Sequence, residues 1–276
     1  FFLNGLNFGI DFKGGTLIEI ETQNKIEISE VRSSLNSLSL GDIQVQEFGS
    51  DKNLLIRIEQ QQGGDQIQQN VLEIVKQKLM NDISETINFR RTEVVGPKVS
   101  GELIQSGTIA ILVAVFAMLI YIWLRFEWQF SLGAVIALLH DVILTIGVFC
   151  LTQLEFNLPI IAAILTIVGY SMNDTVVVYD RVRENLRKFR SKEITSLLNL
   201  SINETLSRTI VTSVTTLLAL VSLYIFGGEV IKGFTFAMIW GVLVGTYSSI
   251  FVAAPLLTYL DVKREWNTTT AVDSTK

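Results

Sequence analysis

Three ionisable residues of the 276-residue chain interrupt runs that otherwise hold no charge: Asp174, and the adjacent pair His140 and Asp141. An ionisable group inside hydrocarbon costs roughly 2.5–3.5 kcal/mol on insertion scales, so it needs a partner or a task. Asp174 stands in Gly169-Tyr170-Ser171-Met172-Asn173-Asp174-Thr175, six residues before Asp180. At helical rise that places it roughly 9 Å inside the end of its run. Arg208 opens the following run, and Thr212, Thr215 and Thr216 succeed it at i+4, i+7 and i+8, with Ser213 between. Low dielectric disfavours the charged form of an acid and a nearby cation favours it. A pair Asp174–Arg208 could therefore take up and release a proton as Arg208 moves. The competing reading is a structural ion pair near the interface, with Arg208 reaching out to headgroups. The depth of Asn173-Asp174 favours the proton site, and Asp174 and Arg208 are its expected relay residues. Asn173, Thr212, Ser213, Thr215, Thr216, His140 and Asp141 form a wider candidate polar pathway. His140 and Asp141 point about 100° apart on a helix, and one hydrogen bond each to a neighbouring helix would satisfy them.

Positioning these residues requires membrane spans. Crossing about 30 Å of hydrocarbon takes about 20 apolar residues. Residues 103–124, 209–228 and 233–260 carry no charge, 128–154 only His140 and Asp141, and 156–179 only Asp174. Five spans are expected, near 103–124, 128–151, 156–179, 207–227 and 233–258, within a bundle of residues 101–265. The segments 125–127, 180–208 and the tail carry eleven Lys and Arg, against one in 152–157 and 229–232. By the positive-inside rule the first group is cytoplasmic, which puts the C-terminus inside and residues 1–100 outside. Carrying that domain across calls for a further span ahead of Phe1. The basic run from Arg181 to Lys188, followed by Ile194, Leu197, Leu198 and Ile202 at helical spacing, predicts a helix lying on the anionic inner surface. Gly241, Gly245, Ser249 and Ala253 recur every four residues, as in a close-packing face. The tail 266–276 is expected to be disordered.

The first 100 residues read as a small α+β domain. Residues 16–20, 43–48 and 54–58 are β-rich and mostly alternate, 86–95 is a last extended run, and 29–38 and 67–79 have helical spacing. The order βαββαβ predicts a ferredoxin-like arrangement. Lys13-Gly14-Gly15 lacks the Walker spacing and reads as a turn into the first strand. The domain has no His, no Cys and no nucleophile elbow, so it reads as a binding module. The one cysteine, Cys150, lies in an apolar run and offers neither a disulfide nor a zinc spacing. Net charge is −5, carried by the first 103 residues, and no basic patch suited to nucleic acid is present. No catalytic set, metal site or cofactor is expected. An intramembrane aspartyl protease would want a Gly-x-Gly-Asp, which does not follow Tyr179-Asp180.

Four separated motifs resemble one family. Asn-Phe-Gly-Ile-Asp-Phe-Lys-Gly-Gly-Thr at 7–16 is similar to the opening signature of the SecD/SecF family of bacterial protein-export membrane subunits. Val95-Gly96-Pro97-Lys98-Val99-Ser100-Gly101-Glu102-Leu103 resembles that family's entry into its second span. The stretches 169–185 and 206–213 resemble its SecF branch. The resemblance covers about residues 5 to 265. It implies an inner-membrane location with residues 1–100 periplasmic, six spans, and kinship with resistance–nodulation–division transporters. It implies a SecD-like partner of the same architecture, the SecYEG channel, unfolded secretory polypeptide and membrane lipids as partners. It also implies use of the proton motive force to complete export after SecA, with Asp174 and Arg208 at the family's proton-conduction positions. Two other readings remain: half of a proton-coupled small-molecule exporter, or a docking and assembly subunit that transports nothing.

Overall fold

The computed structural model describes residues 5–61, 65–84, 86–260 and 262. Gly63, Gly64 and the tail 266–276, which the sequence marks as a break and as disorder, lie outside the described residues. The elements in chain order are α1 (Ile10–Lys13), β1 (Gly15–Glu21), α2 (Ile28–Asn36), β2 (Ile43–Phe48), β3 (Ser50–Ile58), α3 (Asp65–Asp82) and β4 (Asn88–Val95). The long helices follow: α4 (Pro97–Arg125), α5 (Trp128–Thr152), α6 (Leu158–Lys188), α7 (Ile194–Phe226) and α8 (Glu229–Ser248). A π-helical turn (Ser249–Ala253) and the short α9 (Ala254–Leu256) end the series. The chain divides into two compact units, residues 1–110 with 149–161 and 228–233, and the remainder.

In the first unit the strands form one antiparallel sheet in the order β2-β3-β1-β4. That order and these directions are compatible with the ferredoxin-like arrangement. Alternation sets the faces. Ile18 and Ile20 of β1 and Leu54, Ile56 and Ile58 of β3 pack with Val31 and Leu35 of α2 and Val71, Val75 and Leu79 of α3. The opposite face of the sheet buries Leu17 and Leu55 with Ile10 of α1. The turn between α1 and β1 demands glycine. Gly14 and Gly15 have φ of +72° and +121°, and a Cβ on Gly15 would lie 2.4 Å from the Ile58 carbonyl oxygen.

The residues just before that turn join the segment that leads into α6. The amide of Gly9 donates to the Phe156 carbonyl at 2.8 Å and the amide of Phe156 to Asn7 at 2.7 Å. The Asp11 carboxylate accepts from the amide of Leu158 at 2.8 Å, where an acid suits the first turn of a helix. Arg57 and Glu155 close the junction with an ion pair of 2.6 Å.

Five helices are long and apolar enough to cross a membrane, α4 to α7 and α8 with its continuation to Leu256. The third is the most enclosed: 56% of the apolar window of α6 is buried, against 11% in α4 and in α7. Ile122, Phe126, Phe130, Ala134, Leu138, Val168, Met172, Val178, Tyr179, Val182, Ala253 and Leu257 form one buried cluster around it. Small residues bring α8 close to α6, since a Cβ on Gly241 would meet the Ile167 side chain and one on Gly245 would lie 3.0 Å from Ser171 Cβ.

One expectation is overturned in this region. The separate surface helix expected after the basic run is the first part of α7, which is continuous from Ile194 to Phe226. No Gly or Pro interrupts that stretch, and its early residues have a protein surface to cover. Leu197 and Leu198 enter the buried cluster with Leu186 of α6. Asn185 donates to Ser201 at 3.0 Å and to Glu204 at 2.7 Å, and Arg181 pairs with Glu204 at 2.6 Å. The C-terminal end of α6 and the N-terminal end of α7 thus form a hairpin.

Candidate functional site

Asp174 is buried on α6, with 8% of its surface exposed. Its two carboxylate oxygens take one hydroxyl each from different helical segments. Thr209 of α7 donates to Oδ1 at 2.7 Å, and Ser249, at the start of the π-helical turn, donates to Oδ2 at 2.5 Å. Arg208 is exposed, and among the described residues it forms no ion pair with Asp174. The expected contact is made by its neighbour instead. Successive residues point about 100° apart on a helix, so the turn that aims Thr209 at α6 carries Arg208 away. Asn173 is exposed for the same reason.

The hydroxyl stripe divides likewise. Thr212, Thr215 and Thr216 donate to carbonyls of their own helix, those of Arg208, Val211 and Thr212, a common resting state for helical threonines. Thr212 and Thr215 are exposed. Ser213 turns inward, bonded to Thr246 at 2.7 Å and receiving the Tyr170 hydroxyl at 3.3 Å.

His140 and Asp141 meet, although their backbone positions diverge. His140 Nδ1 lies 3.0 Å from Asp141 Oδ1. Asp141 is 1% exposed, and its Oδ2 accepts from Ser171 of α6 at 2.5 Å and from Ser248 of α8 at 2.7 Å. Ser171, Thr209, Ser248 and Ser249 are the site residues that sequence reasoning missed. Ser249 lies on the close-packing face expected from the sequence, and its bond to Asp174 gives that face a polar contact as well. The available signal was two consecutive hydroxyls, Ser248-Ser249, in a charge-free run that must pass two intramembrane acids.

The π-helical turn begins at this point. Adjacent residues of a helix point about 100° apart, and Ser248, the last residue of α8, serves Asp141 while Ser249, the first of the turn, serves Asp174. At the end of the turn the Ala253 carbonyl accepts the buried Tyr179 hydroxyl at 3.0 Å, which fixes the irregular segment to α6.

A five-span helical bundle with hydroxyl-bound carboxylates inside it, joined to a small antiparallel sheet domain, is the architecture of a multi-pass membrane protein. A family model for the C-terminal part of protein export membrane protein SecD/SecF matches residues 75–263, and one for the SecD/SecF GG motif matches residues 1–26. The chain belongs to the SecD/SecF family. Protein translocase subunit SecF of Rickettsia bellii is 50% identical over 258 residues, which cover 94% of this chain and 84% of the relative. Protein translocase subunit SecF of Cereibacter sphaeroides is 50% identical over 266 residues, 94% and 82% of the two chains. The crystal structure of SecDF from Thermus thermophilus, a translocon-associated membrane protein, superposes with a TM-score of 0.81 at 36% identity. The match covers 92% of this chain, which spans about a third (34%) of the SecDF chain.

Proposed function

We propose that this chain acts as the SecF-like subunit of an export complex in the bacterial inner membrane. With a SecD-like partner it uses the proton motive force to drive the late stages of protein export through SecYEG, after SecA. Residues 1–100 lie in the periplasm and contact the emerging polypeptide, and the C-terminus is cytoplasmic. The observation that carries the reading is the setting of Asp174, an acid buried in a membrane span and held by two hydroxyls with no cation in contact among the described residues. A hydroxyl both donates and accepts. Thr209 and Ser249 therefore satisfy the carboxylate when it is charged and the carboxylic acid when it is neutral, and the proton comes and goes without an orphaned polar atom.

Arg208 and Asn173 add the second element. They lie exposed on the helices that carry the acid and its ligand, and a cation facing lipid is costly. A partner bundle covering this face supplies Arg208 with a counter-charge and places its own groups near Asp174. One charge moved across 100 mV yields roughly 2.3 kcal/mol, enough to bias two states that differ by a few kcal/mol. Protonation of Asp174 reverses one of its two hydroxyl bonds and weakens the other, and the resulting movement of α7 and the π-helical turn is passed to the periplasmic domain.

The test is maturation of secreted precursors in cells depleted of their own SecF and complemented with the full-length protein, unchanged or carrying Asp174→Asn. The variant should insert and assemble normally while precursors accumulate. Full restoration of export would make Asp174 structural and the protein a docking subunit.

A further inference from the structure

Asp141 is more deeply buried than Asp174, and the mechanism above gives it no task. Its environment is that of an exchanging group. Its Oδ2 faces two hydroxyls and its Oδ1 a neutral or protonated imidazole. Among the described residues His140 is the only titratable or charged side chain in contact with it. From α6 it meets Ser171 and from α8 Ser248, both uncharged. The imidazole is not sealed in, for 30% of the His140 side chain is exposed while Asp141 shows 1%. Where the face it opens onto is wet, a partly exposed imidazole in front of a buried acid is a route for a proton to reach that acid.

Each serine has a second acceptor within reach. Ser248 lies 3.2 Å from the Gly245 carbonyl and Ser249 3.0 Å from that of Thr246. A hydroxyl has one proton. It favours the carboxylate while the acid is charged; protonation on Oδ1 leaves Oδ2 a weaker acceptor, and the hydroxyl then favours the carbonyl of its own helix. Because Ser248 closes α8 and Ser249, the next residue, opens the π-helical turn, a change at either acid displaces the ligand of the other.

We propose that Asp141, loaded through His140, is a second proton-exchanging acid of the bundle, tied to Asp174 through Ser248 and Ser249. This rests on the reading of Asp174 as a proton site. In the loading step water-borne hydronium gives a proton to His140 Nε2, and the Nδ1 proton passes to Asp141 Oδ1. The products are water, a neutral imidazole protonated on Nε2, and a neutral Asp141. Rotation of the imidazole or proton return restores the starting tautomer. His140 thus carries the proton without keeping a charge in the membrane.

The test uses the full-length protein assembled with its SecD-like partner in liposomes that enclose a pH-sensitive dye. Proton flux under an imposed gradient and infrared difference spectra of the carboxyl groups are read together. Asp141→Asn should abolish a carboxyl band distinct from the one that Asp174→Asn abolishes, and should lower flux about a hundredfold, the scale of a lost proton-transfer group. His140→Gln should keep the Asp141 band but slow its formation to a similar degree. Ser248→Ala, which removes a ligand of Asp141 alone, should shift the Asp174 band, and an unmoved band overturns the tie between the acids. If Asp141→Asn conducts like the parent while Asp174→Asn does not, Asp141 is structural and only this inference falls. If both conduct like the parent, the proton-site reading falls and this one with it. Should Asp141→Asn fail to assemble, His140→Gln decides: parental flux and band kinetics overturn the proposal, and slowed ones support it.

Discussion

In the sheet domain Glu21 pairs with Arg90 and Asp82 with Lys78 at the surface, over a core of Ile, Val and Leu. In the helical bundle Asp141 and Asp174 lie inside, and their ligands are Ser171, Ser248, Thr209 and Ser249. The solvated carboxylates meet cations, and Lys78 favours the charged form of Asp82. The buried ones meet hydroxyls, which accept either protonation state. A pair of opposite charges in the bundle would have been the stronger bond and the poorer switch, because separating it inside a span leaves a buried charge uncompensated. Charge pairing at the surface favours one state, whereas the hydroxyls of the interior can serve the charged and the neutral carboxyl alike.

Three substitutions sharpen that contrast. The largest effect belongs to the apolar core. Ile56 is fully buried on β3, and Ile56→Ala should cost the domain about 2–5 kcal/mol. Hydrogen exchange of β1 and β3 in the full-length protein would report this cost, and unchanged protection would mean that the domain is not held by its core. Ser249→Ala comes next, removing one donor from Asp174 at a cost of about 1–3 kcal/mol for the under-satisfied group. It should lower proton flux while the complex still assembles. Equal flux would show that Thr209 alone maintains the site.

The smallest effect is at the surface. Lys78, and after it the Ser34 hydroxyl, hold the Asp82 carboxyl below its ordinary value. A group lowered in the folded chain adds stability that is present above its unfolded value and is lost as the pH falls through its folded one. The site is exposed and the gain correspondingly slight. Between about pH 6 and about pH 3, exchange protection of α2 and α3 should decline more in the parent than in Asp82→Asn. Equal decline would mean that the pair contributes nothing.

Alternation and helical spacing revealed the sheet domain because its faces are set by local periods of two and 3.6 residues. Ile18, Ile20, Leu54 and Ile56 announce their side of the sheet in the sequence, and Gly14-Gly15 announces its turn. The spans were legible from charge alone. The hydroxyl ligands were not, because nothing local says which of many serines and threonines faces an acid on another helix. Thr209 rather than Arg208 meets Asp174 through the rotational setting of α7, which tertiary packing decides. The continuity of α7 was missed for a related reason: Leu197 and Leu198 have the same spacing whether they cover lipid or α6. His140 reaches Asp141 by the swing of its side chain, which backbone angles do not reveal.

The most direct test of the account is completion of export by protons alone. In inverted inner-membrane vesicles a precursor would be advanced part-way by SecA and ATP, ATP would then be removed, and a proton gradient imposed. With the parent protein the precursor should finish translocation. With Asp174→Asn assembled at parental levels it should stall, gradient or none. Completion by the variant at the parental rate would contradict the claim that a buried, hydroxyl-bound carboxylate couples proton entry to export.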